Sequence, residues 1–418
     1  MISEINQRIT QLNNGEVPSG YEKTDFGIFP CDWIKNKTFG DLFDFYGGLG
    51  KSREELGEEG HAYLHYGDLH RGSFNVVSHA QYEHLPKYDV TLKGSEAYLM
   101  EDGDIAFLDA SEDLDGTSRS VLIDNPDNEP FIAGLHVIFG KSKDNSLEKW
   151  YKQYITAPES VRKQFQRLAS GFKVYGVTRK TLPKIQIAYP KSADEQSKIA
   201  EILMKWDEAI ELYNQYIEKL KQLKSIWLKK MFPKKGERVP EWRFKGFTDA
   251  WEQRKLGDLL QTLPFKQFLK EPEPDGKYEI IQQGNEPVIG FANGTPCGDY
   301  KDVVIFGDHT LSLYKPQHPF FVATDGIRIV KGQQDTDGYY LLSLLERYKP
   351  QSEGYKRYYS ILADTNCITT YNTSEQEQIG VFFNNLDHLI TLYQCKVGKI
   401  KAQQKVLQKY LLNGIVRV

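Results

Sequence analysis

One glycine-rich segment of this chain could in principle bind a phosphate group. Residues 47–52 read Gly-Gly-Leu-Gly-Lys-Ser, which is similar to the end of the loop that cradles nucleotide phosphates with backbone amides and a lysine. That loop needs another glycine five residues before its last one, and Phe45 stands there. The strand that should precede it is also weakly patterned. The segment therefore favours an ordinary turn.

Other local enzyme motifs are missing from the sequence. The Asn-Pro-Pro-aromatic tetrapeptide of amino-methyltransferases is absent, and residues 125–127, Asn-Pro-Asp, are the nearest match. No glycine fingerprint for a dinucleotide or for S-adenosylmethionine follows a strand. The nine histidines show no pair at metal-ligand spacing on a helix, and Asp127 and Glu129 lack the lysine of a nuclease centre. We therefore expect no catalytic residues, no metal ligands and no cofactor bound by this chain.

A long helix occurs twice, 180 positions apart. Residues 195–199, Glu-Gln-Ser-Lys-Ile, align with residues 375–379, Glu-Gln-Glu-Gln-Ile, and the alignment continues without a gap to Lys229 and Lys409. In both copies apolar residues alternate steps of four and three, the seven-residue repeat of a coiled coil. The predicted core of the helix pair consists of Ile199, Leu203, Trp206, Ile210, Tyr213, Ile217, Leu220, Ile379, Phe383, Leu386, Ile390, Tyr393, Val397 and Ile400.

Each apolar stripe is interrupted by one polar residue at an equivalent position, Lys224 in the first copy and Gln404 in the second. A polar residue at a single core position can fix the register of a coiled coil. The first helix is predicted from about Asp194 to Met231, where Phe232-Pro233 ends it, and the second from Ser374 to about Leu412. At about 1.5 Å per residue each is a rod on the order of 55 Å long.

Each long helix follows a globular segment with a repeated frame. Trp33 followed by Gly-Asp-Leu at 40–42 recurs as Trp251 followed by Gly-Asp-Leu at 257–259. Between these frames and the helices the two segments share little sequence. Similar frames around different interiors predict two modules that recognise two different things. A short helix from Ser3 to Leu12 should precede the first module.

Composition excludes several classes of protein. The 418 residues have room for two or three domains. Four separated cysteines favour a reduced, intracellular protein over a disulfide framework. The first residues resemble no signal peptide, and no run of 18 apolar residues exists, so we expect a cytoplasmic protein with no membrane segment.

The net charge of −4 does not by itself indicate a nucleic-acid partner, but the charges are unevenly distributed. Residues 159–184 are strongly basic, and residues 101–129 are strongly acidic. This polarity suits a protein with one anionic partner and another surface kept away from it. Ordinary solvated surface is the alternative explanation.

With the helices and frames identified, the chain resembles the specificity subunit of type I restriction–modification enzymes over nearly its whole length. The similarity is carried by residues 27–33 and 40–42 at the entry of the first module and by residues 98–105 within it. Its most specific part is residues 194–210, with their partner 374–390. One such helix is common among coiled coils, whereas two in repeated frames are typical of this family.

The resemblance implies an α+β fold: two globular α/β target recognition domains separated by two long antiparallel coiled-coil helices in a pseudo-two-fold repeat. Each domain would read one half of a bipartite sequence in double-stranded DNA. Two modification subunits would supply S-adenosylmethionine chemistry, and restriction subunits would supply ATP- and Mg-dependent translocation and cleavage. The expected segments are 1–193 (N-terminal helix and first domain), 194–232 (first helix), 233–250 (linker), 251–372 (second domain) and 373–418 (second helix).

Candidate DNA-contacting residues are basic, aromatic or amide side chains in turn-rich segments. Lys and Arg grip phosphates, and Gln or Asn can pair two-fold with adenine. Residues 170–177 combine basic, aromatic and glycine residues, which suits a loop that enters a groove, although a plain hairpin turn explains them equally. The candidates are Lys51, Arg53, His65, Tyr66, Arg71, Arg167, Lys173, Tyr175 and Arg179 in the first domain, and Lys266, Gln282, Gln283, Asn285, His309, Thr310, Lys356, Arg357 and Tyr358 in the second.

Two other functions compete with this interpretation. A coiled-coil scaffold whose globular domains bind other proteins would account for the helices and the acidic net charge, but not for the repeated frame around dissimilar interiors. An autonomous methyltransferase or nuclease is disfavoured by the missing motifs.

Overall fold

Short apolar runs alternate with turn residues outside the two long helices. In the computed structural model these runs form the strands of several small sheets. The structure describes residues 2–71, 75–89, 96–111, 114–169 and 175–418. The chain forms two compact units: unit 1 comprises Met1–Glu211 and Gly398–Val418, and unit 2 comprises Leu212–Val397. Each long helix begins in one unit and ends in the other.

The described residues of unit 1 form five short α-helices and the start of the first long one. The helices are α1 (Ile2–Asn13), α2 (Phe39–Leu42), α3 (Tyr66–Arg71), α4 (His79–Tyr82), α5 (Glu159–Leu168) and α6 (Ala193–Met231). The strands are β1 (Tyr21–Thr24), β2 (Gly27–Pro30), β3 (Ile34–Thr38), β4 (Phe43–Gly47), β5 (His61–Leu64), β6 (Val76–Ser78), β7 (Lys87–Tyr88), β8 (Ile105–Leu108), β9 (Ala110–Ser111), β10 (Ser120–Asp124), β11 (Phe131–Ala133), β12 (Val137–Ser142), β13 (Tyr175–Gly176) and β14 (Gln186–Tyr189).

The main sheet of unit 1 has the order β4-β12-β8-β10-β6 and is antiparallel except where β10 pairs with β6. A second sheet has the order β11-β5-β7, in which β5 is parallel to β11 and antiparallel to β7. The apolar residues Ile105–Leu108 form β8 near the centre of the main sheet. Strand β12 begins at Val137, directly after His136, whose φ of 60° lies outside the extended region of strands.

Unit 2 repeats this architecture with fewer strands. Its helices are α7 (Leu256–Leu259), α8 (Gly338–Tyr348), α9 (Tyr359–Asp364) and α10 (Thr373–Leu412). Its strands are β15 (Glu252–Lys255), β16 (Leu260–Leu263), β17 (Tyr278–Ile281), β18 (Val288–Ala292), β19 (Val303–Gly307), β20 (Leu313–Tyr314), β21 (Phe320–Val322), β22 (Ile327–Gly332) and β23 (Asn366–Thr369).

The sheets of unit 2 follow the same strand order as those of unit 1. The order β16-β22-β19-β20 matches the first four strands of the main sheet, and β17 lies between an antiparallel β18 and a parallel β21, as β5 lies between β7 and β11. The strand before each long helix pairs with the strand after the repeated tryptophan, β14 with β3 and β23 with β15. The two modules are therefore structural repeats, although their interiors share little sequence.

The two long helices begin and end close to the predicted positions: α6 ends where Pro233 removes a backbone donor. In unit 1 the start of α6, at Ile199 and Leu203, packs in one core with Leu411 and Leu412 at the end of α10. In unit 2 the end of α6, at Met231, packs in one core with Ile379 and Phe383 at the start of α10. Within each unit the two helices therefore run antiparallel, and the predicted fold class is confirmed.

The predicted helix-pair residues line this interface to different extents. Eight are buried: Ile199, Leu203, Ile217, Leu220, Ile379, Phe383, Ile390 and Val397. The other six are half-buried: Trp206, Ile210, Tyr213, Leu386, Tyr393 and Ile400. Tyr213 and Tyr393 lie ring to ring, with centroids 5.9 Å apart.

The repeated Gln at the start of each long helix ties that helix to the adjacent globule. Gln196 donates to the carbonyls of Pro190 (2.8 Å) and Ser146 (2.9 Å), and its own oxygen accepts from the Glu148 amide (2.7 Å). Gln376 makes the equivalent bonds, donating to the Thr370 carbonyl (2.7 Å) and accepting from the Asp337 amide (3.2 Å). Buried backbone groups need such partners, which explains why this residue recurs.

The neighbouring glutamate binds an arginine that follows the other long helix. In unit 2, Arg243 forms a two-pronged pair with Glu375, at 2.6 and 2.8 Å, and the Trp251 indole also donates to that carboxylate. In unit 1, Arg417 contacts Glu195 and both carboxylate oxygens of Asp32. In each unit the arginine thus anchors the segment that comes after one helix onto the start of the other.

Candidate nucleic-acid interface

Strand ends in unit 1 bring several predicted residues to one edge of the main sheet. β4 and β8 end at this edge, and their antiparallel neighbour β12 begins there, as the pairings Gly47–Ile138 and Leu108–Val137 show. β5 and β11 end beside it. We define edge 1 as residues 47–53, 65–71, 109–111, 134–136 and 175–179.

The glycine-rich segment of edge 1 is an irregular loop in which the backbone amides of Gly48 and Leu49 already have partners. The amide of Gly48 donates to the Val137 carbonyl (2.8 Å), and that of Leu49 donates to the Ala133 carbonyl (2.7 Å). A side chain at Gly48 would lie 1.8 Å from the Gly134 carbonyl oxygen, so only glycine fits. The segment predicted as an ordinary turn is an irregular loop between β4 and Arg53.

Tyr63 locks the loops of edge 1 together from inside. Its hydroxyl donates to the Leu49 carbonyl (2.5 Å) and accepts from the amides of Lys51 (3.1 Å) and Leu135 (2.8 Å). The Tyr63 ring is fully buried. One side chain therefore fixes both the loop that carries Lys51 and the turn that precedes His136.

Two of the predicted cations on this edge, Lys51 and Arg53, have acidic neighbours. Lys51 pairs with Glu55 at 3.0 Å and lies over the Tyr88 ring, and hydrogen bonding to Tyr88 and Glu55 raises its pKa. Arg53 binds both oxygens of Asp68 at 2.9 and 3.0 Å. Both cations stay partly exposed, so a phosphate would compete with these acids for them.

An aromatic cluster occupies the centre of edge 1. Tyr66 lies between His65, at 4.5 Å between ring centroids, and His136, at 5.4 Å and perpendicular. His136 is held by Asp109 through Nδ1 at 2.9 Å. His65 is nearly buried, and burial lowers its pKa, so it is neutral at neutral pH. Sequence reasoning missed His136 and Asp109, which only strand pairing brings to Tyr66.

The other predicted residues of the first domain lie in three settings. Tyr175 begins β13, which pairs with β9, and Arg179 lies beside Gly47, so both belong to edge 1. Arg167 is on α5, where it lines a cavity of about 320 Å³ with Lys163 and residues 23–28. The side chain of Arg71 and the whole of Lys173 lie outside the described residues, as do residues 170–174.

Unit 2 has an equivalent edge that gathers the predicted residues of the second domain. β16 and β19 end there, and β22 begins there, with Gly307 paired to Ile327. The loop at 353–358 joins them, because the Tyr358 amide donates to the Asp308 carbonyl at 2.7 Å. We define edge 2 as residues 264–268, 282–286, 308–312, 323–326 and 353–358. It contains Lys266, Gln282, Gln283, Asn285, His309, Thr310, Lys356, Arg357 and Tyr358.

The glutamines of edge 2 use only part of their hydrogen-bonding capacity. Gln282 donates to the Glu286 carbonyl at 3.0 Å, and the oxygen of Gln283 accepts from the His309 amide at 3.1 Å. Each side-chain amide has two donor hydrogens and two acceptor lone pairs. Both therefore keep capacity for a ligand, while their bonds hold them in one orientation. Asn285, next in the same turn, is exposed.

Thr310, Lys356 and Tyr358 are placed differently from one another. Thr310 is exposed and shares a hydrogen bond with Ser312 (2.8 Å), and Lys356 pairs with Glu353 (2.7 Å). Tyr358 is fully buried, and its hydroxyl accepts from the Glu353 amide (2.7 Å). It therefore supports the loop from inside and is not presented on its surface.

Three further features of the described residues bear on function. No group of three or more His, Cys, Asp or Glu side chains in them is arranged to hold a metal ion. Across the same residues, every helix is too short or too polar to cross a membrane. Part of the acidic stretch is neutralised locally, since Lys149 bridges Asp102 and Asp124 at 2.7 Å each.

The two α/β modules share one strand order, and each leads into a long helix and presents an edge of amide, aromatic and cationic groups, so the chain is internally duplicated. The family model "Type I restriction modification DNA specificity domain" matches residues 32–222. Over these residues the chain is similar to the DNA specificity domain of type I restriction–modification systems.

Two curated relatives carry the same family name. A predicted type I restriction enzyme specificity subunit, MjaX, of Methanocaldococcus jannaschii is 21% identical over 95% of this chain and 97% of its own length. A predicted type I specificity subunit, S.MpnORF638P, of Mycoplasma pneumoniae is 24% identical over 48% of this chain and 54% of its own length.

Two solved structures share the fold. The specificity subunit of a type I restriction–modification system from M. genitalium matches 91% of this chain and 96% of its own, with a TM-score of 0.58 and 18% identity. A structure described as showing complex assembly and conformational transition of the type I system matches 96% of this chain and 100% of its own, with a TM-score of 0.50 and 13% identity.

Proposed function

We propose that the chain reads a bipartite sequence in double-stranded DNA, one half with edge 1 and the other with edge 2. The observation that carries this proposal is that equivalent strands build both edges, yet the side chains on them differ. Edge 1 offers Arg53, Tyr66 and His136, and edge 2 offers Gln283, Asn285 and His309. Equivalent strands that present different side chains would allow the two domains to recognise different base pairs.

Both edges carry the two kinds of side chain that DNA recognition uses, those that contact phosphates and those that contact base edges. Cations such as Lys51, Arg179 and Arg357 contact phosphates, which positions the protein but carries no sequence information. Side-chain amides such as Gln283 and Asn285 can form paired bonds with adenine in the major groove. The proposed recognition domains are residues 1–193 and 251–372, with the linker at 233–250.

The long helices, at 194–232 and 373–418, set the distance between the two half-sites in this proposal. Readers one DNA turn apart must be held about 34 Å apart. A rigid helix pair can fix such a distance, whereas a flexible linker cannot. The buried anchors Gln196 and Gln376 support this role, because they tie each helix firmly to its globule.

The helices also dock two modification subunits in this proposal. Leu212 and Leu392 are equivalent in the repeat and are 66% and 53% exposed. Ile226 and Val406 are a second equivalent pair, 50% and 49% exposed. Exposed apolar residues at repeated positions suit two copies of one partner. Those subunits would supply S-adenosylmethionine chemistry, and restriction subunits would use ATP and Mg.

Exchange of one domain tests the proposal. Residues 251–372 would be replaced by the matching region of a relative, and the hybrid would be expressed with its modification subunits. Methylome sequencing should show one altered half-site and one unchanged half-site. The matched control exchanges the first domain, and it should alter only the other half. A change in both halves, or in neither, contradicts modular reading.

A further inference from the structure

Tyr355 has the largest exposed fraction among the large hydrophobic side chains of the described residues, at 87%. It lies at the tip of the 353–358 loop, within edge 2. Exposure of an aromatic ring to water is unfavourable, and such exposed apolar surface often marks a binding site. Its surroundings show that the exposure is built into the loop.

A histidine backs one face of the Tyr355 ring. The rings of His309 and Tyr355 are stacked, with centroids 4.7 Å apart and planes within 5°. His309 is itself fixed, because its amide donates to Gln283 (3.1 Å) and its Nδ1 pairs with the Lys356 carbonyl (3.1 Å). A carbonyl can only accept, so Nδ1 carries the proton. One ring face of Tyr355 is thus supported, and the other is free.

The loop that carries Tyr355 is held in shape before any ligand binds. The buried Tyr358 hydroxyl donates to the Gly354 carbonyl (2.7 Å) and accepts from the Glu353 amide (2.7 Å). Gly354 has a φ of 100°, a conformation that favours glycine. A preformed loop loses little conformational freedom on binding, so it can present a side chain at low entropic cost.

We propose that Tyr355 is a specificity-determining residue of edge 2, whose free ring face contacts the C5-methyl group of a thymine in the major groove. This inference rests on the proposed reading of DNA by unit 2. Apolar contact with that methyl is one of the ways in which a protein distinguishes thymine from other bases. The neighbouring Lys356 and Arg357 supply the charge that brings a phosphate backbone to the loop.

Edge 1 has a comparable device built from other elements. Tyr66 is 37% exposed and lies against both His65 and His136. At each edge a histidine ring thus lies against an exposed tyrosine ring. The two tyrosines lie on elements that are not equivalent in the repeat, α3 in unit 1 and the 353–358 loop in unit 2.

The test compares Tyr355→Ala and Tyr355→Phe in the assembled modification complex. Methylome sequencing of cells with Tyr355→Ala should show relaxed specificity at one A·T pair of the second half-site, and affinity for the cognate duplex should fall about tenfold. Replacing that thymine by uracil, which removes only the methyl group, should weaken the wild type by the same factor and Tyr355→Ala no further. Tyr355→Phe should behave as wild type.

The matched control is Tyr371→Ala, which removes a 38% exposed tyrosine of unit 2 outside edge 2 and should leave specificity unchanged. The inference is overturned if Tyr355→Ala keeps full specificity, weakens all sequences equally, relaxes a G·C pair, or is matched by Tyr355→Phe. The domain exchange separates the two proposals. If exchange moves one half-site while Tyr355→Ala has no effect, only this inference fails; if exchange moves neither, the proposed function fails.

Discussion

The side-chain amide of Gln404 donates to Asp207 Oδ1 over 2.7 Å within unit 1. In unit 2 the equivalent residues form the equivalent bond, since Lys224 reaches Asp387 Oδ1 at 2.6 Å. The two polar residues that interrupt the apolar stripes therefore each have an acid partner that is itself repeated. Because the partners lie on the other helix, each bond specifies one alignment of α6 against α10.

The Gln404–Asp207 and Lys224–Asp387 bonds differ in the other groups that interact with them. The second oxygen of Asp207 accepts from the Tyr154 hydroxyl (2.6 Å) and from Asn75 (3.2 Å). Lys224 instead lies between two acids, Asp387 and Glu346, both at 2.6 Å. Loss of Lys224 leaves two neighbouring carboxylates without a cation, whereas loss of Gln404 removes one bond of three.

We predict that Lys224→Leu destabilises the chain more than Gln404→Leu does. Lys224→Leu should cost about 2–3 kcal/mol, because partly buried carboxylates lose their counter-charge. Gln404→Leu should cost about 1 kcal/mol. Urea unfolding followed by tryptophan fluorescence measures both. Lys221→Leu, which removes an exposed pair with Glu218, is the control and should cost under about 1 kcal/mol. Equal losses for Lys224→Leu and Gln404→Leu would contradict this account.

The long helices and their polar core residues could be predicted because helical periodicity is local. The composition of the edges was also accessible in part, since Gln282, Gln283 and His309 lie in recognisable turns. The pairing of His136 with Asp109 was not, because strand register joins residues far apart in sequence. Tyr358 illustrates the converse: an aromatic beside Lys356 and Arg357 resembles a ligand contact, and only tertiary packing shows it to be buried.

Asp104 gives the stability of unit 1 a dependence on pH. Its side chain is buried and accepts from the Glu101 amide at 2.8 Å. Burial raises its pKa to about 7, with Lys141 and Lys152 opposing and the Glu101 carboxylate reinforcing the shift. An acid whose pKa is higher in the folded state stabilises the fold below its unfolded pKa, near 4. That contribution is lost as pH rises to about 7.

The unfolding free energy of the wild type should fall between about pH 4 and 7, by at most about 1.4 kcal/mol per pH unit, because Asp104 loses its proton. We predict that Asp104→Asn abolishes this pH dependence. The variant should be the more stable protein at pH 8. Unfolding free energies of both proteins from pH 4 to 8 provide the measurement. Asp144→Asn is the control of opposite sign, because hydrogen bonds from Ser146 lower the pKa of Asp144. Parallel curves for wild type and Asp104→Asn would refute the prediction.

We predict that the double variant Leu212→Glu, Leu392→Glu loses affinity for the modification subunit by at least about tenfold. Charges at these exposed apolar positions would have to be desolvated in the complex, while the isolated chain should fold normally. Titration of labelled modification subunit gives the affinity, and circular dichroism checks the fold. Ile289→Glu, at a 39% exposed position on β18, is the matched control. Undiminished binding by the double variant would exclude these leucines from the docking surface.

The last prediction concerns the helices as the determinant of half-site spacing. One heptad inserted after Glu211 in α6, and one after Val397 in α10, falls at the boundary of the two units in both helices. Such insertions preserve the apolar repeat and leave the Asp207–Gln404 and Lys224–Asp387 bonds within their own units. They add about 10 Å of helix, at about 1.5 Å per residue. That length corresponds to about three base pairs of duplex DNA.

Methylome sequencing of the lengthened variant should therefore show both half-sites unchanged in sequence and the gap between them longer by about three base pairs. The rotation that accompanies each added base pair makes this a demanding test, because both domains must still face the duplex. Inserting two residues at the same positions is the control. It turns the apolar stripe of each helix away from its partner, so folding should fail. Methylation at the original gap by the heptad variant would show that something other than helix length sets the spacing.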